Sequence, residues 1–223
     1  MKNINIYLVR HGQSEGNTVD PDVIGQPASS PLTKLGIEQA SLLGKRFATD
    51  KVKFARCFSS SFIRAAETAK IITVAIDHKE PLYLYNELVE YSPGDWRGKV
   101  RADVFSQIEN VRKVGALNMG FKFPNGEALH QVERRAAHWL EEQIIFNDRV
   151  LAAAEKEELN YLVVSHGMTI RCLLHYVMGF DQSFVWNINI DNSSITHLKF
   201  GDRGWYLNCL NDTSHLDMNK IGK

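Results

Sequence analysis

The chain has 223 residues, and its 26 Lys and Arg are balanced by 26 Asp and Glu, a formal net charge of zero. Hydrophobic residues make up 44% and charged residues 23%, enough apolar material for a full core and too much for a disordered chain. The zero balance excludes a protein that works through a bulk basic field on nucleic acid or anionic lipid, while leaving room for a local basic pocket. Cys57, Cys172 and Cys209 are scattered and form no CxxC pair, so they are expected to be plain thiols in a reducing compartment. The apolar start is too short for a signal peptide, and the apolar stretch ending near Phe180 is broken by Arg171, His175 and Gly179. The expectation is a soluble cytoplasmic protein.

In chain order, Ile4–Val9 is a short β-forming apolar run that stops at Arg10-His11-Gly12, a buried strand entering a polar loop. Thr33 is placed to cap a helix carrying Ile37, Ala40, Leu43 and Phe47 at helical spacing. Phe54–Phe58 suggests a second strand, ending in Ser59-Ser60-Ser61. Residues 62–76 then suggest a helix with Phe62, Ala65, Ala69 and Ile72 on one face. Leu82–Tyr85 is a third strand candidate, leading to a loop with Glu87 and Glu90. Val100, Val104, Ile108 and Val111 mark a further amphipathic helix, and residues 115–126 are glycine-rich and irregular.

A long helix is expected over 128–157, from Val132, Ala136, Leu140 and Ile144. Tyr161–Ser165 is a fourth strand ending at His166-Gly167, with a helix from about Met168. The tail suggests two strands, 194–200 and 205–210, joined through Gly201-Asp202-Arg203-Gly204. Without repeat or linker, residues 1–223 read as one unit. Strands alternating with helices predict an α/β fold with a mostly parallel sheet covered on both faces, where ligands bind beyond the carboxyl ends of strands. Three strand candidates end in polar clusters (Arg10-His11-Gly12, Ser59 to Arg64, His166-Gly167), which would bring these to one sheet edge.

Two guanidinium forks and two imidazoles at one edge would form a pocket for the oxygens of a phosphate or carboxylate. An imidazole there can act as nucleophile or as donor to a phosphoryl group, and a carboxylic acid would be needed for the leaving oxygen. Glycines after both histidines, Gly12 and Gly167, would allow close backbone approach to a ligand. The eight histidines include no HExxH and no short-spaced pair, so no metal is assigned, and no cofactor. His78, His130, His138, His175, His197 and His215 receive no role. Nucleotide loops of the GxxxxGK[ST] or GxGxxG type are missing from the sequence.

Six segments together resemble the histidine phosphatase superfamily of phosphoglycerate mutase-like proteins. They are LVRHGQSEGN (8–17), SPLTKLGIEQA (30–40), SSSFIRAAETA (59–69), EYSPGDWRG (90–98), FPNGEALHQVERR (123–135) and VVSHGMTIR (163–171). The resemblance implies a three-layer α/β/α sandwich and metal-free phosphoryl transfer through a phosphohistidine on His11. It also implies a clamp from Arg10, Arg64 and His166, with Asn17, Ser14 and Gly167 contacting the ligand. Glu90 has the family's spacing to Gly94 for the proton donor, and Glu87 is the second candidate. The segment EYSPGDWRGKV and the short stretch before the Gly-Glu helix start resemble the phosphatase branch rather than the mutases.

The expected activity is that of a histidine acid phosphatase-type phosphomonoesterase on a small phosphorylated metabolite, with no nucleic-acid or membrane partner. A phosphoglycerate mutase and a phospho-ligand-binding module are the alternatives. Substrate choice is expected to lie in residues 95–126, including Trp96, Arg97, Lys99, Arg101 and Phe121–Phe123. There Trp96 reads as packing, and Lys99 and Arg101 as either a second anion site or a solvated helix start.

Overall fold

The computed structural model of the chain describes residues 3–20, 22–106 and 119–216. Strand β1 (Asn3–Arg10) is followed by helix α1 (Lys34–Thr49), β2 (Arg56–Ser60), α2 (Ile63–Ala75) and β3 (Leu82–Tyr85). Next come α3 (Arg101–Ser106), α4 (Leu129–Leu140), α5 (Asp148–Ala154), β4 (Leu159–Ser165) and α6 (Gly167–Met178), and then β5 (Ile195–Gly201) and β6 (Gly204–Asp212). Single 3-10 turns lie at Glu15–Asn17, Asn86–Leu88 and Gly94–Trp96. No helix among the described residues is long and apolar enough to cross a membrane.

The strands form one sheet in the order β3-β2-β4-β1-β5-β6. The pairs β2/β3, β2/β4 and β1/β4 are parallel, whereas β5 runs antiparallel to both β1 and β6. β5 alone therefore points the opposite way, and the sheet is mostly parallel as the alternating pattern predicts. Parallel register aligns the ends that matter, with Arg10 opposite Ser165 and Ser60 opposite Tyr85.

Side-chain alternation along each strand splits the core between two faces. Ile4, Ile6 and Leu8 of β1 pack with Phe58, Tyr161 and Val163 against α4, α5 and α6, including Ala136, Trp139, Ile170 and Leu173. Val9, Cys57, Leu162 and Val164 face the other way, onto Leu43 and Phe47 of α1 and Ala65, Ala69 and Ile72 of α2. Helices on both faces of the sheet make the three-layer α/β/α sandwich.

Several elements differ from the sequence expectation for physical reasons. The helix foreseen over 128–157 is not continuous. After Leu140 the chain makes a π-helical turn, Glu141–Ile145, and restarts at α5, whose amides Arg149 and Val150 are capped by the Asn147 side chain. Asn147-Asp148 is a cap signal that the apolar period overrode. β2 sits two residues later than Phe54–Phe58. Phe54 instead packs edge-on against Phe47 and Tyr7 before the strand begins. Ile37 is 48% exposed, so the buried stripe of α1 is carried by Ala40, Leu43 and Phe47, and Thr33 caps it by accepting from Gly36 N. The helix through Val100, Val104, Ile108 and Val111 is described only as α3, and its remainder lies outside the described residues, as do residues 115–118 of the irregular stretch.

Candidate active site

β1, β2 and β4 run parallel, and their carboxyl ends deliver Arg10-His11, Ser59-Ser60 and Ser165-His166 to one edge. Arg64, in the first turn of α2, enters from the side. A cavity of about 290 Å³ opens there, lined by Arg10, His11, Asn17, Gln26, Phe62, Arg64, Glu90 and Tyr91, among others. Two guanidinium groups, an imidazole, two amides and two carboxyl groups, those of Asp20 and Glu90, thus share one wall system.

His11 is 3% exposed and its ring is held at both nitrogens. Nδ1 lies 2.7 Å from the Gly12 carbonyl, and Nε2 lies 3.1 Å from Arg64 Nε. A guanidinium only donates, so Nε2 is the unprotonated nitrogen and Nδ1–H donates to Gly12. Burial, then Arg10, then Arg64 hold the imidazole well below its ordinary range, which keeps it neutral. A neutral ring with its lone pair on a fixed nitrogen is the form a nucleophile requires.

His166 is fully buried beside it, with ring centroids 5.1 Å apart. Its Nε2 pairs with Ser60 Oγ at 2.7 Å, and Phe62 packs edge-on at 5.3 Å. Burial is again the first cause of its lowered proton affinity, followed by His11, Arg64 and Arg10. Ser60 received no role from the sequence. Its signal was available in its place at the end of a strand parallel to the one that ends at His166.

Arg10 donates Nη1 to the Ile190 carbonyl at 2.5 Å. Arg64, 2% exposed, donates Nη1 to the Pro27 carbonyl at 2.9 Å and lies over the Phe62 ring. Burial pushes Arg64 down to about 10, still charged at neutral pH. Two buried nitrogens of this cluster, Arg10 Nε and His166 Nδ1, meet no protein partner.

Glu90 lies in the cavity wall, with its carboxyl group on the first turn of α6. Oε2 accepts from Met168 N at 3.1 Å, and Oε1 from Thr169 N at 3.2 Å. Glu87 is exposed and absent from the lining, so the structure places the first candidate at the site and the second outside it. Asn17 lines the cavity with its Oδ1 taken by Ser14 N, Ser14 Oγ and Asn192 Nδ2, which leaves its amide hydrogens for a ligand.

Three expectations are corrected. Ser14 is fully buried and stands behind the wall, its hydroxyl bonded to Asn17 and Gln26 rather than facing the cavity. Gly167, like His166, is not among the residues that line the cavity. It opens α6, and the Arg10 side chain packs over it, 3.6 Å from where a Cβ would sit. Gly12 serves a backbone rather than a ligand: a Cβ there would lie 2.5 Å from the Gly36 carbonyl oxygen. Its amide donates to Thr68 Oγ1, which donates on to Arg64 O, so the loop after β1 and the first turn of α2 are locked together.

The aromatic segment beyond the cavity is packing. Trp96 is 5% exposed and forms a small core with Ile24, Val104 and Phe123, flanked by Tyr91 and Phe121. Lys99 and Arg101 are exposed and do not line the cavity; Arg97 reaches the Gln26 carbonyl at its rim. Among the described residues no group of three or more His, Cys, Asp or Glu is placed to hold a metal ion.

The sequence model of the histidine phosphatase superfamily, branch 1, matches residues 6–213. The chain belongs to that superfamily. A relative named "Probable phosphoglycerate mutase GpmB" from Yersinia pestis is 29% identical over 221 residues, covering 96% of each chain. The fold matches a mycobacterial glucosyl-3-phosphoglycerate phosphatase with TM-score 0.80 at 20% identity, over 94% of this chain and 99% of that one. It also matches an α-ribazole phosphatase from Shigella flexneri, TM-score 0.73 at 23% identity, over 94% and 96% of the two chains. The proteins similar to this chain thus include a relative named as a mutase and fold neighbours named as phosphatases.

Proposed function

We propose that this protein hydrolyses a small phosphomonoester, without a metal, through a phosphohistidine on His11 Nε2. The observation that carries the reading is the Arg64 Nε donor on His11 Nε2, in the cavity that also holds Arg10 and Glu90. A phosphate ester entering there supplies oxygens for donors already in place. Arg64 transfers its Nε–H from the imidazole to a phosphoryl oxygen, which frees the Nε2 lone pair in the same movement. Arg10 Nε, His166 Nδ1 and Asn17 Nδ2 supply further donors for the equatorial oxygens, the main help a loose transition state needs.

In the first step Nε2 bonds to phosphorus, the P–O bond to the alcohol breaks, and the leaving oxygen takes a proton from Glu90. In the second, water attacks phosphorus, its proton passes to Glu90, and the P–N electron pair returns to Nε2. Hydrolysis is preferred to mutase action because, among the described residues, the cavity wall beyond Arg10 and Arg64 includes Val19, Asp20, Val23, Gly25 and Gln26. Among the described residues that set adds no cation for the carboxylate of a phosphoglycerate, and Arg97 at the rim is held by the Gln26 carbonyl. We place the enzyme in the cytoplasm, where three free cysteines stay reduced.

The test is phosphate release from a panel of phosphomonoesters with chelator present and His11→Ala as control. Chelator-resistant release that disappears in the variant is expected. Primer-dependent interconversion of 3- and 2-phosphoglycerate without release would make the protein a mutase. Tight phosphoester binding without either reaction would make it a binding module.

A further inference from the structure

The segment FPNGEALHQVERR contributes no group to the cavity, yet two of its residues reach the loop that carries Glu90. Arg135, on α4, forms a two-pronged ion pair with Glu127, Nε to Oε1 at 2.9 Å and Nη2 to Oε2 at 3.2 Å. The same guanidinium donates Nη1 to the Glu87 carbonyl at 2.6 Å and Nη2 to the Glu90 carbonyl at 3.4 Å. Glu127 Oε2 also accepts from Ser92 N at 2.9 Å, and Glu127 N donates to Ser92 O at 2.9 Å. Between these anchors, Leu88 O accepts from Ser165 Oγ and Val89 O from Thr169 Oγ1, both at 2.8 Å. Each carbonyl from Glu87 to Glu90 therefore ends on a side chain. The outer two end on Arg135.

We propose that Arg135, locked by Glu127, is a positioning residue for the reaction: it fixes the Glu87–Ser92 loop so that the Glu90 carboxyl group meets the leaving oxygen. The pair is partly exposed, at 19% and 26%, and a pair at such exposure adds little to global stability. Its geometry points to placement. Only a planar fork can hold one carboxylate with two nitrogens while reaching two carbonyls 3 residues apart, and a lysine ammonium cannot. The inference rests on Glu90 being the proton donor.

The experiment compares wild type, Arg135→Met, Arg135→Lys, Glu127→Gln, Glu90→Gln and the double variant Arg135→Met/Glu90→Gln on an aryl and an alkyl phosphate. The aryl alcohol leaves readily without a proton and the alkyl alcohol does not. The expected result in Arg135→Met is a kcat/KM loss of about 10²-fold on the alkyl ester and a far smaller loss on the aryl ester, because kcat/KM reports the leaving-group step and not the water step that Glu90 serves for both esters. Arg135→Lys should not rescue, and Arg135→Met should add nothing once Glu90 is glutamine. Equal losses of kcat/KM on both esters, or full additivity in the double variant, would overturn the positioning role. Should Glu90→Gln itself lack any leaving-group dependence, the acid assignment falls and this inference with it. If Arg135→Met does not fold, Glu127→Gln, which keeps shape and loses the ion pair, reads the same difference.

Discussion

Arg64 Nε lies 3.1 Å from His11 Nε2, so a side chain that can only donate marks which imidazole nitrogen carries the lone pair. The Gly12 carbonyl holds the opposite nitrogen at 2.7 Å, and the tautomer is set before any ligand arrives. From this pairing the reactive atom of the whole account is identified.

The pH dependence of kcat/KM follows. Burial, Arg10 and Arg64 keep His11 deprotonated below its ordinary range, so nucleophilic activity persists as the pH falls through the usual imidazole value of ~6.5. The acid limb should therefore lie well below that value. Arg64→Gln should lower kcat by about 10²–10³-fold, by removing a phosphoryl donor, and shift the remaining acid limb upward. An acid limb at the ordinary imidazole value in the wild type would show that His11 is not the titrating nucleophile.

Stability should depend on pH through the same histidines. His11 and His166 both bind protons less readily folded than unfolded, so the unfolded chain holds more protons below ~6.5. Their contribution is full above that pH and is lost as the pH falls toward the lowered folded values. Thermal unfolding followed from pH 8 to 4.5 should decline on the acid side. The decline should flatten in His11→Asn/His166→Asn.

Ser60→Ala should reduce turnover although Ser60 lines no part of the cavity. The change removes the partner of His166 Nε2 and leaves a fully buried imidazole with neither nitrogen satisfied by protein. A hydrogen bond worth about 1 kcal/mol corresponds to roughly a 5-fold to 10-fold loss in kcat. An unchanged kcat would mean that Ser60 is packing alone.

Backbone proximity, rather than backbone dihedral, governs the two glycines that bring α1 to the site. A Cβ on Gly36 would lie 1.9 Å from the Gln13 carbonyl oxygen, so Gly36→Ala should cost about 3 kcal/mol or more and disturb the loop after His11. Gly98 has φ +77° but open space around it, and Gly98→Ala should cost only about 1–2 kcal/mol. Denaturant unfolding of the two variants tests the order.

The sheet edge was legible because three strands announce their ends in polar residues and parallel pairing does the rest. Arg10, His11, Arg64 and His166 could be named for that reason, whereas Asn17 and Glu90 are named through the family resemblance. Gly12, Ser14 and Gly167 could be named but not interpreted, since whether a small residue faces a ligand or neighbouring protein depends on tertiary packing. Asn192, which donates to His11 O and to Asn17, carries no local signal, because it lies in a loop that meets the site only in the folded chain, 181 positions from His11. The break near Asn147 was written in the sequence as a cap, and an apolar period that continued into Ile144 masked it.

The central claim is a phosphoryl group passing through His11, and rapid acid-free quenching with a 32P-labelled ester tests it most directly. The account predicts a base-stable, acid-labile label on His11 that turns over to inorganic phosphate. It also predicts that label and release vanish together in His11→Ala, with turnover reduced by at least about 10³-fold. Release of phosphate at undiminished rate from His11→Ala, or label on any other residue of the wild type, would contradict it.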